Sequence, residues 1–584
     1  MGYLKKHIIA FAIITLLSVM FILMFFSSKG DSNIVDEVAH IPAGISYITK
    51  GDYRLNPEHP PLIKDLAAIP LALAGFTFPT EMWLANNPVV NNQWEIGWAY
   101  LYKIGNNTDL MVLLARIPIM LISLIFGYFV FRWTKELFGN KAGIFALILF
   151  VFSANIIAHS RFVTTDLGIS FALFLSMYLL YRFVQKPNYQ NLLIAGLGFG
   201  LTLITKFSAA VLAPTFIIIF IMLLVRKGSD SKRGLLERIN DRSIKKRLYS
   251  SFISFFLIAV IGILTMWIFY IPHTINMPSS VQKDLIEESL PGDEGIAKLS
   301  RAILIPLSDN QITKPLGQWF LGFFMVTSHV EGGHDAFLWG QVSNQGWWYY
   351  YPLTLLIKTP IPLMLLMFLV LLLWRRLEKK DWFTETFIWV LPIVLMAMGI
   401  QGKLCLGVRY MLPLYAFMFI FIARLATIID LKKITNNLRP FPLIVIILIV
   451  WYVLEGIIIY PHYLAYYNQF VGGYKNGYHY LTDSNTDWGQ DIKRLKKYVD
   501  DNEIREIYVD VFPGGFEAKQ YLGEKMIEWH VQNGKPTGYF ALSATFYQNS
   551  RLKKDSNSGV DYSWLDNIEP VTNIGGSILI YNLK

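Results

Sequence analysis

Cysteine is almost absent from this chain of 584 residues, and charged residues are scarce. The single cysteine, Cys405, excludes an intrachain disulfide and any metal site built from several cysteines. Charged residues make up 16% of the chain, whereas soluble proteins carry about 25%. Internal repeats and low-complexity tracts are also lacking. With 54% hydrophobic residues and a mean hydropathy of +0.41, the composition predicts a mainly α, polytopic membrane protein.

Long apolar runs dominate the first four-fifths of the sequence. A helix that crosses a bilayer needs about 20 such residues, which predicts about eleven spans. The first run follows Lys5 and Lys6 and lacks a small-x-small cleavage pattern, so we expect a permanent signal anchor. The predicted spans lie near 8–26, 110–131, 141–158, 166–184, 191–208, 209–225, 251–271, 351–374, 384–402, 406–428 and 441–460.

Basic residues concentrate in alternate loops, as the positive-inside rule requires. Loop 226–250 holds nine Lys or Arg against three Asp or Glu, which predicts that it is cytoplasmic. We expect a multi-pass cell-membrane protein with a cytoplasmic N-terminus and an extracytoplasmic C-terminus. Residues 1–460 then form the membrane domain, with outer loops 27–109 and 272–350, and residues 461–584 form a small α/β domain outside. Because the net charge of +10 lies mostly beside spans, the bilayer is the expected partner and nucleic acid is not.

Several cations do not follow the positive-inside rule. They lie at or just inside the predicted outer face, where a charge is costly unless it is paired. An anionic group at that face, such as a lipid phosphate, would account for them. The alternative is that they snorkel or pair with nearby acids such as Asp36 and Asp166. These cations are Lys64, Arg161, Lys206, Lys358, Lys403 and Arg409.

Acidic residues gather at the same predicted face. Asp36-Glu37 follows the first span, Glu58-His59 precedes a Pro-Pro turn, and Asp166 opens the fourth span. Together they predict a site with several carboxylates, one of which can act as a general base. The alternative is that Asp36 and Glu37 only cap a helix and that His59 is a turn residue fixed by Pro60. Glu58 with His59 could bind a divalent metal ion, but two ligands are few for one.

The first outer loop resembles that of a known family. Asp36-Glu37, then Gly51-Asp52-Tyr53, then Glu58-His59-Pro60-Pro61 is similar to the pattern in membrane glycosyltransferases of the GT-C class. Within that class the motif is most similar to those of the protein O-mannosyltransferases and the lipid A aminoarabinose transferases, that is, glycosyltransferase family 39. The resemblance extends over roughly residues 30–430. It implies a helical GT-C fold and transfer of a sugar from a polyprenyl-phosphate donor.

The resemblance also implies roles for individual residues. Asp36 corresponds to the proposed catalytic base, Glu37 accompanies it, and Asp166 corresponds to a second acid at the outer start of a later span. The aminoarabinose transferases have Glu-Lys-Pro where this chain has Glu58-His59-Pro60, and Lys64 lies one helical turn onward. The residues expected to bind substrate are Glu58, His59, Lys64, Arg161, Lys206, Lys358 and Arg409. No cofactor is required by this chemistry, and a divalent metal ion stays an alternative.

The expected reaction is a single displacement that inverts the anomeric centre. Asp36 takes the proton of an acceptor hydroxyl on a protein, lipid or glycan, while Arg409 or Lys358 stabilises the departing lipid phosphate. A transporter or flippase of a lipid-linked saccharide is the alternative, although transporters place ionisable groups nearer the bilayer midplane. A structural or receptor-like membrane protein is a third possibility, which accounts for the domain 461–584 but not for the acidic pattern of the first outer loop.

Two further motifs lie outside this pattern. Asp483, Asn485 and Asp487 alternate like the ligands of an EF-hand, but Arg494 stands where the bidentate glutamate belongs. We instead expect Asp487 and Gln490 to form a capping box for the next helix. The aromatic run 347–351 precedes a span, so it is expected to lie in the membrane interface, with sugar stacking as the alternative.

Overall fold

The computed structural model describes residues 2–85, 91–228, 234–292, 294–429, 440–552 and 561–584. Within the loop 226–250, residues 229–233 therefore lie outside the described part. In chain order the helices are α1 Gly2–Lys29, α2 Val35–Lys50, α3 Leu62–Ala74, α4 Thr80–Ala85, α5 Gln93–Trp98, α6 Thr108–Val151, α7 Ala154–His159, α8 Thr165–Gln185, α9 Tyr189–Leu203, α10 Leu212–Val225, α11 Ile244–Thr274, α12 Ser279–Ser289, α13 Gly295–Leu307, α14 Lys314–Gly332, α15 Tyr350–Lys358, α16 Ile361–Leu372, α17 Trp382–Gln401, α18 Leu412–Ala423, α19 Pro440–Ile458, α20 Ile492–Asp501, α21 Gly515–Leu522 and α22 Ala544–Leu552. The strands are β1 Ala336–Leu338, β2 Gln341–Ser343, β3 Ile507–Asp510, β4 Met526–Glu528, β5 Gly538–Ser543, β6 Thr572–Ile574 and β7 Ile578–Leu583.

The membrane part is a bundle of apolar helices, because a backbone in lipid must satisfy its hydrogen bonds internally. Among the described residues, eight helices are long and apolar enough to cross a membrane, or nine if the bent pair α15–α16 counts as one span. That pair turns through 108°. The prediction of a mainly α membrane fold is confirmed.

The count of eleven spans stays a prediction. Every predicted span falls on a helix or a helix pair, but two features separate the eleven predicted spans from the nine obtained when α15–α16 counts as one. The 44-residue α6 contains Gly139 in a non-helical conformation (φ 86°, ψ 176°), so it covers two predicted spans. The predicted span 191–208 falls mainly on α9, which has only 15 residues, fewer than the roughly 20 that a bilayer needs.

The helix α2 carries the first acidic pair and is fixed at both ends. It begins behind Ile34, whose N–H donates to Glu37 Oε2 at 3.0 Å, and it ends at Gly51 in the left-handed region. Its middle packs closely on α3, since a Cβ at Gly44 would lie 2.1 Å from the Lys64 carbonyl oxygen. Only glycine permits this contact, which sets the distance between α2 and α3.

The C-terminal part contains a five-stranded mixed sheet of order β4-β3-β5-β7-β6. β3 pairs in parallel with β4 and β5, and β7 pairs antiparallel with β5 and β6. An apolar core that includes Ile492, Val509 and Ile580 joins this sheet to α20. The predicted helix after Asp491 and the predicted strands near 506–511 and 577–581 are all present.

The segment between α19 and α20 connects this sheet to the membrane bundle. Tyr463, Tyr466 and Trp488 belong to the same apolar core as the membrane helices. Two backbone hydrogen bonds, Ser32 N–H to the Gln490 oxygen at 3.0 Å and Val35 N–H to the Trp488 oxygen at 3.1 Å, join it to the chain in front of α2. The residues before Asp36 are therefore held by the C-terminal part, and the domain boundary at 461 stays a prediction.

Candidate active site

A cavity of about 460 Å³ lies between the membrane bundle and the C-terminal part. Its volume is in the range of small-molecule sites. The residues that line the cavity come from two parts of the chain. One set belongs to the membrane bundle and the loop before α3, and the other belongs to the α14–β1 segment and the C-terminal part. The first set, called the first wall, includes Asp36, His40, Glu58, His59, Asp166, Lys206 and Arg409, and the other set, called the second wall, includes His329, His334, Asp335, Asp483, Trp488, Phe512 and Thr545.

Asp36 lies in the first turn of α2 with 24% of its side chain exposed. Its Oδ2 accepts a hydrogen bond from Arg409 Nη1 at 3.1 Å. The partial positive charge of a helix N-terminus further stabilises a carboxylate there. Asp36 is therefore held by one cation and still open to the cavity.

Asp166 and Lys206 form a second ion pair beside the first. Asp166 occupies the first turn of α8, and its Oδ1 accepts a hydrogen bond from Lys206 Nζ at 2.5 Å. Its other oxygen, Oδ2, lies 3.8 Å from Arg409 Nη1. The Arg409 guanidinium also lies over the Trp488 ring, 4.6 Å from its centroid. Two acids and two cations thus form one connected group on the cavity wall.

The loop before α3 adds Glu58 and His59 to the same wall. The His59 ring lies 5.7 Å from that of His40, whose Nδ1–H donates to the Val163 carbonyl oxygen at 2.8 Å. Among the described residues, His59 Nδ1 has no hydrogen-bond partner although it is buried. Burial, with the positive charge of Lys206 second, keeps the pKa of His59 well below its usual value, so this imidazole is neutral.

Lys64 supports this loop from behind and does not line the cavity. Its Nζ donates to the Asn56 oxygen at 2.8 Å, the His59 oxygen at 2.7 Å and the Tyr47 hydroxyl at 3.0 Å. The side chain is fully buried. The predicted phosphate contact of Lys64 would require these bonds to break, whereas in the structure Lys64 fixes the loop that presents Glu58 and His59.

Glu37 points away from the cavity. Arg116 binds it with both Nε and Nη2, at 2.8 and 2.6 Å, and the Val163 N–H donates to Oε1 at 2.9 Å. Both side chains are almost completely buried. With the Ile34 N–H on Oε2 as well, the carboxylate has donors on both oxygens, so Glu37 joins α2, α6 and the start of α8.

Arg161 and Lys358 also lie outside the cavity wall. Arg161 is ion-paired with the buried Asp31. Lys358 Nζ donates to the Leu464 oxygen at 2.8 Å and the Asn485 oxygen at 2.6 Å. The structure therefore brings together Asp36, Asp166, Glu58, His59, Lys206 and Arg409, and it places Glu37, Lys64, Arg161 and Lys358 in the support behind them.

Sequence reasoning did not assign the second wall to the site. The sequence pattern places Asp483 only in an EF-hand-like alternation, and the capping box predicted for Asp487 and Gln490 does not form. Gln490 instead donates to the Thr486 oxygen at 2.9 Å and accepts from the Trp488 N–H at 2.8 Å. The aromatic run 347–351 does not line the cavity. The only sequence signal for this wall was the density of Asp and Asn in 483–491.

A metal centre finds no support in the part of the chain that the structure describes. No group of three or more His, Cys, Asp or Glu side chains there is arranged to hold a metal ion. Glu58 and His59 remain the two-residue set that the sequence proposed.

Residues 98–234 match the family model described as dolichyl-phosphate-mannose-protein mannosyltransferase. This segment contains Arg116, Arg161, Asp166 and Lys206. No curated protein matches the chain.

Several solved structures are similar at low identity. ArnT from Cupriavidus metallidurans bound to undecaprenyl phosphate is 10% identical with a TM-score of 0.47, covering 97% of each chain. The apo oligosaccharyltransferase of Archaeoglobus fulgidus is 11% identical with a TM-score of 0.46, covering 94% of this chain and 72% of that one. The S. cerevisiae Pmt1-Pmt2 complex bound to the sugar donor is 16% identical with a TM-score of 0.34, covering 46% and 34%.

The match over residues 98–234 confirms the predicted resemblance to carrier-lipid-dependent glycosyltransferases, although the motifs of the first outer loop from Asp36 to Pro61 lie outside the matched segment. This chain is similar to the phospholipid-carrier-dependent glycosyltransferases of the GT-C class.

Proposed function

We propose that this protein transfers a sugar from a polyprenyl-phosphate donor to an acceptor hydroxyl in the cavity that Asp36 lines, with inversion. The observation that carries the proposal is the pairing of Asp36 with Arg409 on an open cavity wall, 3.1 Å apart. A base and a phosphate-binding cation are the two groups that this displacement needs. The family match over residues 98–234 supports a carrier-lipid donor.

The Asp36–Arg409 bond defines the order of events. When the donor binds, its phosphate oxygens compete with Asp36 for the Arg409 N–H groups, since charge-assisted bonds to phosphate are strong. Asp36 is then free to accept the proton of the acceptor hydroxyl. The acceptor oxygen forms a bond to the anomeric carbon as the bond from that carbon to the phosphate oxygen breaks. The lipid phosphate leaves with the electron pair and remains bound to Arg409.

Asp166 has a different role in this proposal. It is nearly fully buried, with 3% of its side chain exposed, and it already binds Lys206 at 2.5 Å. A carboxylate so engaged is a poor proton acceptor, but it can orient Lys206 and Arg409 towards the phosphate. We therefore assign Asp166 to the positioning of the two cations and Asp36 to proton transfer.

Turnover of a carrier-lipid donor tests the proposal directly. Purified protein would be given undecaprenyl-phosphate-linked mannose and related monosaccharide donors, and release of undecaprenyl phosphate would be measured. Arg409→Ala should lower turnover by about 2–4 kcal/mol, roughly 30- to 1,000-fold, because a charge-assisted contact to the leaving phosphate is lost. Arg54→Ala is a matched control, since Arg54 pairs with Asp52 in the first outer loop and does not line the cavity.

A transporter of lipid-linked saccharide predicts the opposite outcome in the same assay. The donor would cross the membrane of a proteoliposome intact, and no carrier phosphate would be released. Flipping without cleavage, or equal turnover by Arg409→Ala and wild type, would reject the transferase mechanism in favour of the transporter.

The cavity is proposed to face the extracytoplasmic side, with the loop 226–250 in the cytoplasm. Loop charge supports this orientation. In a Cys405→Ser background, a cysteine at the exposed Gln532 should react with an impermeant thiol reagent in intact cells. A cysteine at the exposed Lys245 should react only after permeabilisation. The reverse pattern would invert the topology.

A further inference from the structure

Asp483 is a cavity-lining carboxylate that the mechanism above does not use. Its backbone has φ +54°, in the left-handed region that non-glycine residues seldom adopt. Three hydrogen bonds fix it there: its N–H donates to Thr545 Oγ1 at 3.2 Å, and its carbonyl oxygen accepts from the Thr486 and Asp487 N–H groups at 2.8 Å each. Residues held in such conformations cluster at ligand sites.

The side chain of Asp483 is only partly engaged. Oδ1 accepts a short bond from the Ser484 N–H at 2.6 Å, and Oδ2 lies 4.0 Å from His334 Nε2. About a quarter of the Asp483 side chain is exposed, 26%, compared with 24% for Asp36. Asp483 therefore has the same access to the cavity as the proposed base, but no guanidinium bonds it directly.

Two chain segments that pair with each other bring His334 and Asp483 together. Leu338 of β1 pairs with Leu481, and the Trp339 N–H donates to the Tyr480 oxygen at 2.9 Å. His334 lies just before β1, and Asp483 lies just after this pairing. Their approach is thus built into the backbone and does not depend on flexible side chains.

The charges around this pair connect it to the reacting groups. Burial raises the pKa of Asp483 above its usual value, while the positive charges of Arg409 and His334 oppose that shift and Asp36 adds to it. Asp483 therefore interacts electrostatically with both Arg409 and Asp36 within one cavity.

Aromatic rings complete the surroundings. Trp94 lines the same cavity with 45% of its surface exposed, and Phe512 and Trp488 line it as well. A carboxylate and an imidazole offer acceptors and donors to vicinal hydroxyls, and an exposed aromatic face packs against the apolar face of a sugar ring.

The two residues of this pair come from outside the apolar helices. The carrier chain of the donor must stay with the apolar helices, because it is lipid. His334 and Asp483 come from the α14–β1 segment and the C-terminal part, and they line the cavity beside the Arg409 segment, where Ser484 Oγ donates to the Leu406 oxygen at 2.8 Å.

We propose that Asp483 and His334 form the acceptor subsite, and that it accepts the hydroxyl groups of a carbohydrate. This inference rests on the proposed function, which it deepens by naming the acceptor class.

Binding of simple saccharides tests it without turnover. Saturation-transfer NMR on the purified full chain would use methyl α-mannoside and methyl α-glucoside as probes, and a Ser- and Thr-containing octapeptide as the rival ligand. Asp483→Asn and His334→Gln should each reduce the saccharide signal at least five-fold. Asp500→Asn, the same chemical change at an exposed site on α20, should leave it intact. Undecaprenyl phosphate affinity, measured on the same samples, should stay within two-fold of wild type, and an unchanged thermal unfolding midpoint reports correct folding.

The inference would be overturned if wild type gave no saccharide signal, or if the signal were unchanged in both variants. Asp483-dependent binding of the peptide alone would also overturn it. A parallel loss of undecaprenyl phosphate affinity in properly folded variants would place Asp483 on the donor side instead. Failure of the proposed function is distinguishable, because Asp483-dependent saccharide binding without donor cleavage would reject the transferase and keep the subsite.

Discussion

Asp36 and Glu37 are neighbours in sequence, yet they lie in two different regions of the molecule. Asp36 faces a cavity, with one hydrogen bond from Arg409 and 24% of its side chain exposed. Glu37 lies in the packed interior behind that cavity, with two bonds from Arg116 and two from backbone N–H groups. Consecutive residues on a helix point about 100° apart, which is enough to put one carboxylate in each region.

The difference lies in what each carboxylate can still bind. A buried acid whose oxygens are fully used by fixed donors contributes to structure, because any new partner must displace existing bonds. An acid with one cation and open space can exchange that cation for a substrate group. The same contrast separates Arg409 and Lys206, which line the cavity, from Lys64 and Lys358, whose ammonium groups are held by backbone carbonyls.

The strongest test of this contrast is removal of the open carboxylate. Asp36→Asn keeps the size and polarity of the side chain but cannot accept a proton. Turnover of the carrier-lipid donor should fall by roughly 10²–10⁴-fold, the usual contribution of a positioned base. Undecaprenyl phosphate affinity should be retained, since Arg409 and Lys206 are unchanged.

The other acids of the cavity serve as the comparison for this variant. Asp166→Asn should weaken donor binding as well as turnover, because it releases Lys206. If Asp36→Asn turned over normally while Glu58→Gln did not, the base would be Glu58 and the assignment from the first outer loop would be wrong.

Removal of the buried carboxylate should change stability first. Glu37→Gln leaves Arg116 buried without its charge partner, which costs about 3–5 kcal/mol in comparable buried pairs. The thermal unfolding midpoint of the detergent-solubilised protein should fall markedly. Glu37→Leu with Arg116→Met should recover much of that loss, because no uncompensated charge remains.

An exposed pair supplies the control for that measurement. Lys497 and Asp501 are 75% and 57% exposed and four residues apart on α20, so Asp501→Asn should change stability by only about 0.3–0.5 kcal/mol. If Glu37→Gln unfolded at the wild-type temperature but lost turnover, Glu37 would act in the reaction and the contrast with Asp36 would fail.

The sequence carried enough information for the membrane fold. Apolar runs and loop charge depend on the local chain, so every predicted span fell on a helix. The bends did not follow from hydropathy. The 108° turn between α15 and α16 lies at Pro360, and the break in α6 lies at Gly139 with φ 86°. Such residues interrupt a helix without shortening the apolar run, so the number of spans could not be counted from apolar length.

The site was only partly accessible to the same reasoning. Six of the ten residues proposed from the sequence line one cavity, while their roles in binding and catalysis stay predictions. Whether a charged residue faces that cavity or the interior depends on distant partners, such as Arg116 for Glu37 and the Leu464 carbonyl for Lys358. His334 and Asp483 meet through a strand pairing that no local pattern indicates.

The smallest expected effect concerns Asp487, a carboxylate buried without a cation. It is 1% exposed, and its Oδ2 accepts from the Thr545 N–H at 3.2 Å. Burial raises its pKa to about 7, despite the opposing hydrogen bonds, whereas an unfolded Asp has a pKa of about 3.9. The folded state therefore holds a proton that the unfolded state loses, so this group lowers stability progressively as pH rises from about 4 to about 7.

Asp487→Asn removes that pH-dependent penalty and keeps an acceptor for Thr545. Its unfolding midpoint should equal that of wild type near pH 4.5 and exceed it by a few degrees at pH 8. Asp500→Asn is the control, because hydrogen bonds from Lys496 and Lys525 lower the Asp500 pKa to about 2. Asp500 therefore titrates below pH 4, and the unfolding midpoint of this variant should differ from that of wild type by a constant amount between pH 4.5 and 8. A constant difference for Asp487→Asn as well would mean that Asp487 is ionised throughout. Asp487 would then carry its charge in the interior without a paired cation. The ion pair with Arg116 would no longer be needed to explain how Glu37 is accommodated in the interior.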